Sequence, residues 1–228
     1  MTLDLTGLVL THGAHNKTDD NCCVMEAASI AACAVRDPRP AATWAEALTR
    51  FRDCKDDHPD GASWAIAAVL RSFNDWSGWR DDAERTAALK PFTLRLINSL
   101  ASPEIEVKRA LQAADWGLRE KLAEVCEIVE LPDHAATLRA LAPLTGAASI
   151  RAATPAINRA ALAALAALAA RAARDARDAR DARAARDARD ARDARAALDA
   201  RDAEYEAARK RRIQDACALI ERMLAVTA

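Results

Sequence analysis

Residues 174–185 read R-D-A-R-D-A-R-D-A-R-A-A, and residues 186–197 repeat them letter for letter. No Gly or Pro occurs after residue 155, whereas all six Gly and all eight Pro lie at or before it. Alanine has the highest helix propensity and arginine follows closely, so the stretch reads as helix. Thr154 followed by Pro155 marks its start, because a proline at the first helical position lacks only an N–H that would be unpaired anyway. Unbroken to the end of the chain, it would extend ~110 Å at about 1.5 Å per residue. A hairpin is the alternative, but the repeat has no Gly, Pro or Asn for the turn, so a single rod is expected.

The three-residue step limits what such a helix can do. Each step turns by about 300°, so Ala176, Ala179 and Ala182 drift around the helix instead of stacking into a heptad seam. Arg174 with Asp178 and Arg177 with Asp181 are favourable i,i+4 pairs of about 0.2–0.5 kcal/mol, and like charges at i,i+3 offset them. The two ends differ from the middle. Ile157, Ala161, Leu165 and Leu168 form one narrow apolar stripe, and Ile213, Cys217, Ile220 and Leu224 another. Each needs a partner: the chain's own globular part, a second copy, or another protein.

The remaining sequence divides accordingly. Trp116 is the last aromatic before Tyr205, so a core with large side chains is confined to a head, residues 1–154, followed by a tail, residues 155–228. The head reads as all-α. Asn21 stands as N-cap of a helix over residues 22–35, and Thr43 with Glu46 forms a capping box for a second helix ending near Asp53. Ser63 caps a third that Gly78 stops. Further helices are expected over residues 81–90, 92–100, 103–116, 118–130 and 133–141, and only residues 3–10 alternate as a strand or extended arm would.

Charge and composition exclude several function classes. Residues 1–155 hold 17 Lys and Arg against 22 Asp and Glu, a net of −5; residues 156–228 hold 16 against 12, a net of +4. Alternating Asp dilutes the tail's positive charge, so nucleic acid is not an expected partner. No run is read as approaching the ~20 apolar residues of a membrane span, and no leader is recognised, which predicts a cytoplasmic protein with reduced thiols and no membrane partner.

One cluster suggests chemistry. His12, His15, Cys22, Cys23 and Glu26 fall close together, and Cys54, Asp56, Asp57 and His58 form a second polar knot. Imidazole and thiolate are the usual zinc ligands, so His15, Cys23, Glu26 and His58 are candidate metal ligands, although the paired C-x-x-C spacing of structural zinc is missing. The same residues suit a nucleophile. A cysteine in the first turn of a helix feels the positive end of the peptide dipoles, which lowers its pKa; His15 or His58 would be the base and Asp57 or Asp75 its orienter. The plain alternative is that the cysteines are small core residues and the carboxylates helix-end or turn residues.

Gly13-Ala14-His15, Cys23-Val24-Met25-Glu26, Asp57-His58-Pro59 and Asn74-Asp75 together resemble a set of uncharacterised proteins from actinobacteria and their phages, in which the motif series precedes an Ala-Arg-Asp-rich helical tail. The resemblance covers the first ~80 residues and the composition of the tail. It implies that His15, Cys23, Glu26, Asp57, His58 and Asp75 belong to one set and favours Cys23 over Cys22; it carries no activity. Two functions follow as expectations: a non-enzymatic interaction or assembly protein that oligomerises or docks through its tail, and alternatively a metal-binding or cysteine-dependent enzyme using the N-terminal cluster.

Overall fold

The computed structural model describes residues 3–12, 22–52, 54, 61–184 and 188–226, and side chains within these except 178–201. Among them the protein is all-α, as expected. Two compact units are present, one of Met1–Ala110 with Ile213–Ala228 and one of Leu111–Arg212.

The first unit is built around α1 (Val24–Arg36), an Ala-rich helix buried on nearly every side. Such a helix has no polar face to offer water and must be surrounded. It packs on α2 (Trp44–Phe51), α3 (Trp64–Asn74) and α4 (Asp82–Leu96). Ser63 caps α3 as predicted, its Oγ accepting from Ile66 N at 3.2 Å. Thr43 caps α2, but Glu46 reaches back to the N–H of Ala42 rather than to that of Thr43. Residues 3–10 are an arm turned at Thr6 and Gly7, where Leu8 N donates to Leu5 O at 3.1 Å, and among the described residues its pairing is limited to parallel bridges from Asp4 to Thr43 and from Leu10 to Cys22.

Proline misled the boundaries twice. The helices expected on either side of Pro91 are one helix, α4. Pro91 removes the N–H that the Ala87 carbonyl would have met, yet both residues are exposed and line an open groove, while Leu89, Phe92 and Leu96 on the opposite face are buried. Pro155 likewise lies inside α8 (Ala147–Ala184) instead of starting it, with Pro155 and Arg151 both exposed. The start at Ala147 is organised by Ser149, whose Oγ accepts from Thr145 N at 2.9 Å and Gly146 N at 3.1 Å.

In the second unit α5 (Pro103–Asp115), which begins in the first, passes through one turn of π-helix at Trp116–Lys121 into α6 (Leu122–Ile128). The break expected at Gly117 is therefore a widened turn and not an end. α7 (Pro132–Arg139) and the start of α8 complete a core of mostly small residues: Ala123, Cys126, Ala135, Leu138, Ala153, Ile157, Ala160 and Ala164. Asp115 ties this unit together, pairing with Arg119 and accepting from Leu144 N at 2.9 Å.

The second tail helix is α9 (Ala188–Ala225). Whether α8 and α9 form one rod or a hairpin falls on residues 185–187, outside the described residues, as do most of the charge pairs expected within the repeat. The last turns of α9 belong to the first unit: Ala216, Leu219, Ile220 and Met223 are buried there. Of the expected stripe only Ile220 is buried, with Ile213, Cys217 and Leu224 half-buried, so the face turned to the chain's own head is shifted to Ala216, Leu219, Ile220 and Met223.

Two features contradict simple readings of composition. Cys33 and Cys54 are joined in a disulfide across 21 residues, where reduced thiols were expected, and Cys22, Cys23, Cys126 and Cys217 are free. α3 ends at Asn74, with Asp75 as its C-cap, before the Gly78 expected to stop it; Trp76 covers Gly78, where a Cβ would lie 2.1 Å from Trp76 Cζ2, so that glycine is the floor of an aromatic cluster with Phe73 and Trp79.

Reduction, or Cys33→Ser, is expected to lower stability by about 3 kcal/mol, the entropy of closing this loop; urea titration with and without reductant checks it, and an unchanged midpoint contradicts it. Gly78→Ala is expected to cost about 1–3 kcal/mol by overpacking the Trp76 ring, read as a lowered midpoint with a changed near-UV spectrum.

Candidate functional site

The cluster around Cys23 sits where the N-terminal arm, the start of α1, the end of α3 and the first turns of α4 converge. Leu10 and Cys22 face each other across their bridge, with Thr11 N donating to Cys22 O at 3.0 Å and Leu10 N to Thr86 Oγ1 at 2.8 Å. The two ends of the 13–21 connection are thereby held side by side.

Cys23 is the N-cap of α1, two residues later than the Asn21 expected for that role; Asn21 lies outside the described residues. Its Sγ accepts from Glu26 N at 3.5 Å, and Glu26 Oε2 accepts from Cys23 N at 2.7 Å. This is a reciprocal capping box with sulfur in place of the usual hydroxyl. The C-x-M-E spacing therefore has a complete structural use.

Burial sets the character of both thiols. It drives the Cys22 thiol well above the ordinary range, with the neighbouring Cys23 and Glu26 adding to the rise. Burial likewise pushes Cys23 up to about 11, the Glu26 carboxylate adding to the shift and the backbone N–H of Glu26 opposing it. The expected lowering by the helix dipole is outweighed, and Cys23 stands as a protonated thiol near neutral pH.

Asn74 and Arg85 are the residues that sequence reading missed. Asn74 is fully enclosed: Oδ1 accepts from Val24 N at 3.2 Å, and Nδ2 donates to Thr11 O and to Asp75 Oδ1, each at 3.0 Å. Arg85, also buried, donates through Nε to Asn74 O at 3.0 Å, reaches Leu10 O, and pairs with Asp82. Asn74-Asp75 had appeared only as part of a motif resemblance and as a helix end. Nothing in the sequence singles out Arg85, because its acceptors are backbone carbonyls from remote segments.

Of the predicted site residues, the structure brings together Cys23 and Glu26, and places Asp75 at the end of α3 beside Asn74. His15, Asp57 and His58 lie outside the described residues. Among the described residues no group of three or more His, Cys, Asp or Glu is arranged to hold a metal ion. What this junction does is satisfy four chain segments at once; the described part presents no activated group.

A different feature stands out on α8. At about 100° per residue, Ala153, Ile157, Ala160 and Ala164 fall within a narrow arc, and these are the buried residues. Measured from Ala153, Leu162, Leu165 and Leu168 lie about 180°, 120° and 60° around the helix and are 69%, 64% and 44% exposed. The helix buries its alanines and displays its leucines. Ala161, Ala169 and Ala172 share the displayed arc, while Arg159, Arg171 and Arg174 fall outside it. Ala147–Arg177 also contains an 18-residue window of mean hydropathy 1.3, which passes for a membrane span by length and composition only and carries no membrane assignment by itself.

No known family model, curated protein or solved structure matches the chain.

Cys23 is expected to carry about 100-fold less thiolate than an ordinary cysteine near pH 8, so iodoacetamide should label it correspondingly slowly; labelling at the rate of a peptide thiol would contradict the burial. Because the folded state holds the Cys23 proton more tightly than the ordinary value of 9.0, its contribution to stability is complete below pH 9 and lost as pH rises through about 11.

Proposed function

We propose that this chain is a non-enzymatic assembly protein that self-associates through the leucine face of α8. The observation that carries the reading is the inverted burial of that helix, alanines inward and Leu162, Leu165 and Leu168 outward. A leucine left in water forgoes about 1.5–3 kcal/mol that burial would contribute, so three on one arc form a site that gains from being covered. Between residues 160 and 170 the face is uncharged and flanked by alanines, which lets two helices approach closely. A twofold pairing of identical faces satisfies both copies with one surface.

The cysteine chemistry weighed from sequence draws less support. Cys23 and Glu26 are engaged in capping α1, and the thiol is held protonated.

Light scattering on the full chain is expected to show a mass above the monomer that rises with concentration, and Leu165→Lys to weaken association at least tenfold, about 1.4 kcal/mol or more. A monomer at every concentration, or equal masses for both chains, overturns the proposal. Binding to neutral lipid vesicles that Leu165→Lys abolishes would assign the face to a lipid surface instead.

A further inference from the structure

The leucine face of α8 lies within a stretch that is symmetric under reversal. Residues 159–171 read R-A-A-L-A-A-L-A-A-L-A-A-R, the same from either end, with Leu165 at the centre. At about 100° per residue their directions mirror each other as well. Leu162 and Leu168 stand about 60° to either side of Leu165, Ala161 and Ala169 about 40°, and Asn158 and Ala172, one step beyond the palindrome, about 20°. Arg159 and Arg171, which close it, point about 120° away on opposite flanks. The three leucines are exposed, while Ala153, Ile157, Ala160 and Ala164 take the buried arc beside them.

Such a face fits its own reverse. About a twofold axis level with Leu165 and perpendicular to the helix, each residue on the N-terminal side meets the residue equally far along the C-terminal side of a second copy. Leucine then stands level with leucine three times, alanine fills the levels between, and both arginines sit at the ends of the apolar stretch, turned away from the partner. A helix without this symmetry, reversed on itself, sets its leucines beside other residues and forfeits part of the burial.

Parallel pairing offers the same apolar overlap, so charge decides between the two orientations. Parallel copies align their peptide dipoles and bring each exposed Arg151, about 40° from the centre of the face, level with its own copy. Reversal opposes the dipoles and sets the two Arg151 side chains ~42 Å apart along the pair. The one gain of the parallel arrangement is Asn158 beside Asn158 of the second copy. That contact falls at the rim of the apolar stretch, where water satisfies the exposed amide equally well.

We propose that two copies of this chain pair α8 antiparallel about Leu165, with Asn158 of each level with Ala172 of the other. This rests on the self-association proposed above and adds its orientation and register.

Short-range cross-linking of full-length chains tests it. Helices in contact lie about 8–10 Å apart, so cysteines at one level of the pair are joined by a short bis-maleimide. Positions 158 and 172 are level in the antiparallel pair and ~21 Å apart along the axis in a parallel one. Asn158→Cys and Ala172→Cys chains would be mixed, cross-linked and digested, and the linked peptides identified by mass spectrometry, which sets the native cysteines apart. The expected result is a link between 158 and 172 in the mixture, about tenfold or more above the link between two copies of 158 in Asn158→Cys alone. It should disappear when Leu165→Lys is added to both chains. A link between two copies of 158 as strong as the mixed one overturns the antiparallel register and leaves self-association standing. A monomeric mass overturns both, as does the absence of any link in chains that still associate, since their contact then lies off this face.

Discussion

Arg109 is the group on which the first unit turns. A buried guanidinium is tolerated only when its donors are met, and Arg109 meets Glu106, Ser99 and two carbonyls at the end of the chain. Glu106, almost wholly enclosed, has a lowered pKa even though burial works the other way; Ser63 Oγ, Ala65 N and Arg109 outweigh it. One ion pair therefore links the cap of α3, the first turns of α5 and the last turn of α9. Removing any member would leave a charge buried without compensation.

Composition explains why such ties matter here. Alanine dominates the interior of α1 and of the α6–α8 core, and each buried alanine contributes little apolar area. Closely packed helices with small side chains leave polar junctions to define geometry. The Asn74–Arg85 network does this where four segments meet, and the Cys23–Glu26 box does it for α1. A cluster that looks like chemistry in sequence is, in its described part, a device for ending loops and starting helices.

The architecture was legible where local rules act alone. Ser63 and Thr43 were correctly read as caps, and the all-α class followed from period and propensity. Boundaries failed at Pro91, Gly117 and Pro155, and for one reason: each lies where tertiary contacts hold the helix on one face and the affected turn is exposed or widened. For the candidate site, sequence found Cys23 and Glu26 as neighbours. It could not see that they bond each other's backbone, nor that Asn74 and Arg85 serve distant carbonyls. The stripe on α8 was placed with Ile157 and Leu165 on one side, whereas the structure puts Ile157 inward and Leu165 outward. Pattern alone does not say which of two adjacent apolar arcs faces the core.

The central claim is that the C-terminal turns of α9 are core and not tail. Native-state hydrogen exchange tests it most directly, because protection separates residues that open with the whole unit from those that fray. The account predicts that amides of Leu219, Ile220 and Met223 exchange as slowly as those of Ala28 and Leu70, by global opening of the first unit. Exchange of those three amides at the rate of an isolated, solvated helix would contradict it.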